Sequence, residues 1–518
     1  MILVKNKSVV YFFVASSLFI LGILQITTNN MNATFMSIPF NVVDTNTYFA
    51  FMNQAGEGHI LFTNQYTPEP VPYIIFNPMW LIMGWITILI PPVITYYIFK
   101  FGFLVLFFYL LSKLIDKLKQ KNIILFFVLF GSGIGYVFVM LSKIGFKLYG
   151  SIDQWAASSN TIGTVLAPVH FLISVCLMLT IIILYLKFWE EKKHLILIIL
   201  LTLLLGFIHL FDVITLGLMF GLYMLWLLYK KKENLKNILK YNLIYALCIL
   251  PAFIYTYYLY SFNPYFIAWN AQNVLDTPKL LHVIFGYFIP LIFAVIYFFH
   301  KKQKLKDIEV LLYSWIISGF ILLYSPLNIQ RRFLEGLFIP IMILGALGFI
   351  HVVLPYSEKM LKRVRIKKGR IITIILVCLL ISPTSFYWLY RVYTNVKHDI
   401  QVSEYSIPYY LTQDELEALE WLDQNTENED IVISAYGIGN YIPRMSGNRV
   451  FLGHWAQTID YENKKELVRD FYSGNYDYVL ELYDIDYIYY GNEEKKLGNP
   501  DFPYEKVFEN NLVKIYKI

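Results

Sequence analysis

VITYYIFKFGFLVLFFYLLSKLIDKLKQKNIILFFVLFGSGIGYVFVML, residues 93–141, sets two apolar runs of membrane-crossing length on either side of a lysine-rich gap. Runs of about 20 apolar residues match the ~30 Å hydrocarbon core of a bilayer. The pattern recurs along the chain, and we read spans at roughly 9–27, 93–115, 122–142, 169–187, 195–211, 213–230, 240–260, 281–300, 308–325, 337–356 and 371–390. Composition agrees. A mean hydropathy of +0.52, with 57% apolar and 15% charged residues, excludes an ordinary water-soluble protein of 518 residues. The first run has a short basic start and no small-residue cleavage pattern, so it reads as a retained span rather than a signal peptide. Cys176, Cys248 and Cys378 all sit in apolar runs and suggest neither a disulfide framework nor a zinc site. The net charge of +6 comes from basic residues flanking membrane segments and gives no sign of nucleic-acid binding.

The gaps between spans alternate in charge. Lys5 and Lys7, Lys113 to Lys121, Lys187 to Lys193, Lys230 to Lys240, Lys301 to Lys306 and Lys359 to Arg370 fall on one side, which the positive-inside rule makes cytoplasmic. The opposite gaps are poor in basic residues, and 28–72 has none. A twelfth span at 73–92 would invert everything after it. That segment is interrupted by Pro78 and closed by Pro91 and Pro92, so it reads as a helix in the outer interface. From 391 the chain has soluble character. LTQDELEALEWLDQNTENED looks like a helix capped by Thr412 with Glu415 three residues on, and DIVISAYG, NRVFLGHW, IDYIYYG and LVKIYKI look like short strands. The expected fold is thus an α-helical polytopic membrane domain over 1–390, with interfacial helices in a first outer loop at 28–92. An extracytoplasmic α/β domain follows over 391–518. The expected location is the cell membrane, with a cytoplasmic N-terminus.

Chemistry gathers on the outer side. The first loop holds Asp44, Glu57, His59 and Glu69. Asp44 opens a helix, so it reads equally as an N-cap, which would not exclude catalysis. The second loop offers Asp153, Asn160 and His170; the third, GFIHLFDVITLG, sets His209 and Asp212 one helical turn apart, where the aspartate would ordinarily cap the next helix. The fourth carries Trp269, Gln272 and Asn273, whose amides suit sugar hydroxyls. Arg331 and Arg332, in SPLNIQRRFLEGL, stand against the charge rule. They read either as a pair snorkelling to headgroups or as a clamp for phosphate oxygens. Lys100 lies in the outer half of the second span, where an ionisable group calls for an anionic partner: a bound phosphate, Asp44 or Glu69. Gly131, Gly133 and Gly135 lie within a span and read as helix-packing glycines. Carboxylates, amides, aromatics and a cationic clamp outside the membrane suggest group transfer from a lipid-linked phosphate donor. A carboxylate would accept the acceptor's proton, and cations would stabilise the departing phosphate.

The order of parts resembles the GT-C superfamily of polytopic glycosyltransferases, which includes protein O-mannosyltransferases, aminoarabinose transferases and oligosaccharyltransferases. Asp44, the FNPMWLIMGW stretch and Lys100 match in order an acidic residue soon after span one, interfacial helices and a basic residue near the outer end of span two. SNTIGTVLAPVHF, HLFDV, NPYFIAWNAQN, QRRFLEGLFIP and GNRVFLGHWAQT are similar to a prokaryotic branch of such proteins. The resemblance implies transfer of a sugar from a polyprenyl-phosphate donor to a glycan, lipid or protein acceptor on the extracytoplasmic face. It makes Asp44 the base and Lys100, Arg331 and Arg332 the donor-phosphate ligands. Glu57, His59, Glu69, Asn160, His170, His209, Asp212, Trp269, Gln272 and Asn273 follow as substrate-binding candidates. Several members carry adjacent acids where this chain has Asp44 alone, which leaves a divalent metal open and no cofactor certain. Two other readings remain. A transporter or flippase for a lipid-linked or anionic substrate would place its polar residues nearer the midplane, usually with repeats. A polymer-binding assembly protein would work through the tail, including His454, Trp455 and Gln457.

Overall fold

The computed structural model describes residues 33–116, 118–146, 150–301 and 304–518; the expected first span, 9–27, with Lys5 and Lys7, lies outside them. Helix dominates. Five helices are long and apolar enough to cross a membrane: Pro92–Leu114, Val169–Glu191, Leu210–Tyr229, Leu235–Phe262 and Gln330–Arg363. Three further apolar helix pairs pass the same test together but are bent, Lys121–Phe130 with Gly135–Lys143 by 43°, Leu280–Gly286 with Phe288–Lys301 by 86°, and Gly369–Ile381 with Pro383–Lys397 by 43°. The described residues therefore hold five candidate spans, or eight if each bent pair counts once. At 195–211 and 308–325 the helices are Leu195–Ile208 and Asp307–Leu323, of 14 and 17 residues. At 1.5 Å per residue these reach about 21 and 26 Å, short of the ~30 Å core. The chain is a multi-pass membrane protein. Pro78–Thr87, in the segment expected to be interfacial, has 10 residues and would reach only about 15 Å.

The first bent pair breaks at the glycines expected to pack helices. The amides of Gly133 and Gly135 instead donate to the Asp153 carboxylate at 3.0 and 3.2 Å. A Cβ on Gly133 would stand 2.0 Å from the Phe285 carbonyl oxygen. The glycines thus serve a close backbone approach that stops the helix. Burial pushes the Asp153 carboxyl up to about 6, against the opposing effect of hydrogen bonds from Ser151 and the two glycine amides.

The residues divide into two compact units. One comprises Phe99–Tyr255 and Val274–Arg391 and is helical; at its centre every residue of Phe338–Gly348 is buried, which suits a helix apolar all round. The other joins 33–98, Thr256–Asn273 and Val392–Ile518. Its short strands β1 (Ala33–Phe35) and β2 (Tyr410–Thr412) pair antiparallel, Thr34 opposite Leu411, and so fasten the first loop to the tail. Five more strands follow: β3 (Ile431–Ile433), β4 (Arg449–Val450), β5 (Tyr487–Tyr490), β6 (Glu505–Glu509) and β7 (Lys514–Lys517). They lie in the order β4-β3-β5-β7-β6. β3 runs parallel to β4 and β5, while β7 runs antiparallel to β5 and β6. Ile433, Phe451, Phe471, Tyr472 and Ile488 make a fully buried core under it. The Gln413–Asn425 helix is closed by Thr412 and Glu415 in a capping box, as its sequence indicates.

Candidate functional site

Asp44 sits in the first turn of the Val42–Gly56 helix, whose N-cap position belongs to Asn41, in the left-handed region at φ 55°. An anion is favoured there by the unpaired amides and dipole of a helix start. Its carboxylate accepts from Asn41 Nδ2 at 2.6 Å and lies 2.8 Å from His454 Nε2. The Ala456 amide donates to the other ring nitrogen, Nδ1, at 3.0 Å. A nitrogen accepting from an N–H carries no proton of its own, so the imidazole proton resides on Nε2 and is directed at Asp44. Both faces of the ring system are thus assigned. With side-chain exposures of 4% for His454 and 30% for Asp44, the carboxylate is the member open to a substrate.

The GHWAQT turn that carries His454 is held from several directions. Thr458 Oγ1 donates to the Tyr66 carbonyl at 2.7 Å, and Asn64 Nδ2 donates to the Gln457 carbonyl at 3.0 Å. Gln272 Nε2 donates to the carbonyls of Ala456 and Thr458 at 3.0 and 2.8 Å. That amide, expected to meet sugar hydroxyls, is thereby engaged in fixing the turn. Gly453 allows the turn to close, since a Cβ there would lie 2.7 Å from the Tyr66 ring, which packs edge-on to His454. The helix bearing Asp44 is anchored in turn. Arg444 donates to Asn46 Oδ1 at 2.9 Å and to the Met36 carbonyl at 3.1 Å, with its guanidinium 4.5 Å from the Phe49 ring centre. Asn53 Nδ2 donates to the Arg444 carbonyl at 2.8 Å.

The other first-loop candidates have local partners. Glu69 pairs with Lys464 and accepts from Thr67. Burial holds the Lys464 ammonium below the usual lysine range, against the pull of Glu69. Glu57 is exposed and accepts from Asn428 at 3.1 Å; partial burial raises its carboxyl above the usual range. His59 stacks on Tyr73 with ring centres 4.5 Å apart. Trp269 packs tilted against Tyr260 at 5.6 Å, and Asn273 is buried at the end of the same short helix.

In the helical unit, Asn160 and Lys100 hold the two ends of the Thr161–Leu166 helix. Asn160 Oδ1 accepts from the Gly163 amide at 2.8 Å, and Lys100 Nζ donates to the carbonyls of Leu166 and Ala167 at 3.2 and 3.1 Å. Those carbonyls form the negative end of a helix, which accounts for a buried ammonium there. Arg331 rests 5.1 Å from the Trp155 ring centre, and Arg332 lies 6.0 Å from that of Phe211. His209 Nδ1 is 2.8 Å from Asp212 Oδ2, an oxygen that also accepts from Ser174. The N-cap position of the Leu210–Tyr229 helix belongs to His209, which makes no side-chain cap bond, and Asp212 lies in its first turn. His170 lies near, its ring centre 5.8 Å from that of His209. Among the described residues, no three His, Cys, Asp or Glu side chains gather into a group that could hold a metal ion.

Sequence reading ranked neither Arg444 nor Glu335. Glu335, 1% exposed in the run FLEGLF, was detectable as a lone carboxylate amid apolar neighbours.

No protein-family model matches the sequence, and no curated protein matches it. Solved structures do. The chain is similar to the Archaeoglobus fulgidus oligosaccharyltransferase in its apo form, with a TM-score of 0.52 at 11% identity, covering 94% of this chain and 69% of that one. The same enzyme tethered with an acceptor peptide containing the NVT sequon gives 0.50 at 13% identity over the same shares. ArnT from Cupriavidus metallidurans in the apo state gives 0.50 at 9% identity, covering 99% of this chain and 98% of that one. At such identities the likeness speaks for architecture alone, and the architecture is a GT-C-like fold.

Proposed function

We propose that the protein is a glycosyltransferase that moves a sugar from a polyprenyl-phosphate-linked donor to an acceptor on the extracytoplasmic face. The carrying observation is the Asp44 carboxylate: partly exposed, presented at a helix start, and oriented by Asn41 and by a histidine whose tautomer is fixed. In this reading Asp44 accepts the proton of the acceptor nucleophile as its new bond to the anomeric carbon forms. The sugar–phosphate bond breaks, and the electron pair leaves on the lipid phosphate. Arg331 and Arg332 bind that phosphate through charged donors and offset the charge growing on it. Lys100, with N–H groups turned to the Leu166 and Ala167 carbonyls, takes the smaller share. The GT-C-like fold supports the class of reaction, since the similar structures are an oligosaccharyltransferase and ArnT. The donor sugar, the acceptor and the outward orientation of the tail belong to this proposal.

The test is purified protein incubated with a panel of polyprenyl-phosphate sugars and candidate acceptors, with released lipid phosphate and products followed by mass spectrometry. Asp44→Asn should abolish transfer while leaving folding and donor binding intact. Sustained turnover in that variant would remove Asp44 from the role of base. Replacing Arg331 and Arg332 together should weaken donor binding, and unchanged binding would make them headgroup anchors.

A further inference from the structure

Buried polar atoms in folded proteins are nearly always paired. Around Asp212, several are not. Asp212 Oδ1, His209 Nε2 and both carboxylate oxygens of Glu335 have no hydrogen-bond partner among the described residues, and neither does the Tyr287 hydroxyl. All four residues are at most 6% exposed. They belong together: Glu335 lies within electrostatic reach of Asp212, Arg332 and Tyr287, and His209 is bonded to Asp212.

The pattern of vacancies has a chemical sense. His209 Nδ1 faces a carboxylate oxygen and donates to it, so Nε2 of the neutral ring is an acceptor. With Glu335 ionised the unpaired set is four acceptors on three side chains and one hydroxyl that can both donate and accept; a proton on Glu335 turns one of the four into a donor. Whether or not Glu335 carries a proton, acceptors outnumber donors in this set. It requires a partner rich in hydrogen-bond donors.

We propose that Asp212, His209, Glu335 and Tyr287 read the hydroxyl groups of a sugar ring, with Arg332 at the margin of the cluster. A sugar presents several O–H donors on one face and tolerates a hydroxyl that answers as acceptor, which Tyr287 can use. Adjacent carboxylate oxygens take neighbouring hydroxyls in pairs. This inference rests on the transferase reading above and assigns the recognition of the donor's sugar, as distinct from its phosphate, to these four residues.

The experiment compares two probes on the full-length protein: bare polyprenyl phosphate, and a panel of polyprenyl-phosphate glucose, mannose and galactose. Wild type should bind at least one sugar-bearing lipid more tightly than the bare lipid. Glu335→Gln and, separately, Asp212→Asn should weaken that sugar lipid at least tenfold while leaving bare polyprenyl phosphate within twofold. Melting temperatures of both variants, within a few degrees of wild type, show that the fold survives. Equal losses for both probes, or no loss for either, overturn the sugar-reading role while leaving the transferase reading intact. A wild type that ignores the sugar on every lipid also overturns the inference. A wild type that binds neither kind of lipid overturns the transferase reading itself.

Discussion

Replacing His454 separates a positioning histidine from a merely structural one. Nε2 donates to Asp44, and Nδ1 accepts from the Ala456 amide. A glutamine side chain carries an N–H to about the Nε2 position; an asparagine carries one only to the Nδ1 position, where it would confront the Ala456 amide. A hydrogen bond to a charged group is worth about 1.5–3 kcal/mol. If the whole of that is needed to hold Asp44 in its reacting geometry, His454→Ala lowers kcat/KM by roughly 10- to 150-fold. The remaining bond from Asn41 keeps the loss from being total. His454→Gln should recover most of the activity, whereas His454→Asn should do no better than alanine. Transfer is assayed as released polyprenyl phosphate under single-turnover conditions, with donor binding measured alongside to show that only the chemical step has moved. Full activity in His454→Ala, or asparagine outperforming glutamine, refutes both the tautomer and the role derived from it.

Gly453→Ala should force the His454 turn away from Tyr66, because the new Cβ falls 2.7 Å from that ring and 2.9 Å from Val450. Overpacking of this kind costs about 1–3 kcal/mol, read as a lower Tm together with lower kcat. Glu494, fully buried and accepting from the Ala435 and Gly491 amides, has its carboxyl pushed by burial from 4.5 up to about 7. A raised carboxyl favours the protonated folded state. Its contribution to stability is therefore complete below pH 4.5 and disappears as pH rises through about 7, a change of about 3 kcal/mol. The Tm of Glu494→Gln across pH 4 to 8, compared with wild type, should lack that decline. In a background freed of Cys176, Cys248 and Cys378, a cysteine at exposed Glu57 should label from outside intact cells, and one at exposed Leu235 only after permeabilisation. The reverse pattern would invert the topology.

The membrane architecture was legible because it depends on composition over long windows. A 23-residue helix such as Val169–Glu191 announces itself through hydropathy alone. The breaks were harder to see. The sequence around Gly133 reads as continuous apolar helix, and what interrupts it is a carboxylate 20 residues away that draws the glycine amides to itself. The tail's capped helix was plain, since Thr412 and Glu415 act over three residues. The partnership of Asp44 with His454 was not, because 410 positions separate them and each has a local explanation, one as a cap and one as a tail residue. The same limit applies to Gln272, whose amide suited a sugar in isolation and is directed in the structure at two backbone carbonyls. Local rules report what a side chain can do; only the packed chain decides which partner it takes.

The setting of Asp44 also bears on when the proton moves in the proposed reaction. Two donors hold the Asp44 carboxylate in one orientation at a helix start, and any carboxylate is a weak base beside an alcohol or amide. A weak base could not strip an alcohol or amide in its ground state. It would suffice once the sugar–phosphate bond has largely broken, because the incoming nucleophile then gains positive character and its proton becomes acidic. Departure of the phosphate must therefore lead and proton transfer must follow, which puts the greater part of the barrier on stabilising the leaving group. On that account neutralising the arginines at 331 and 332 should slow transfer more than loosening Asp44 through His454 does.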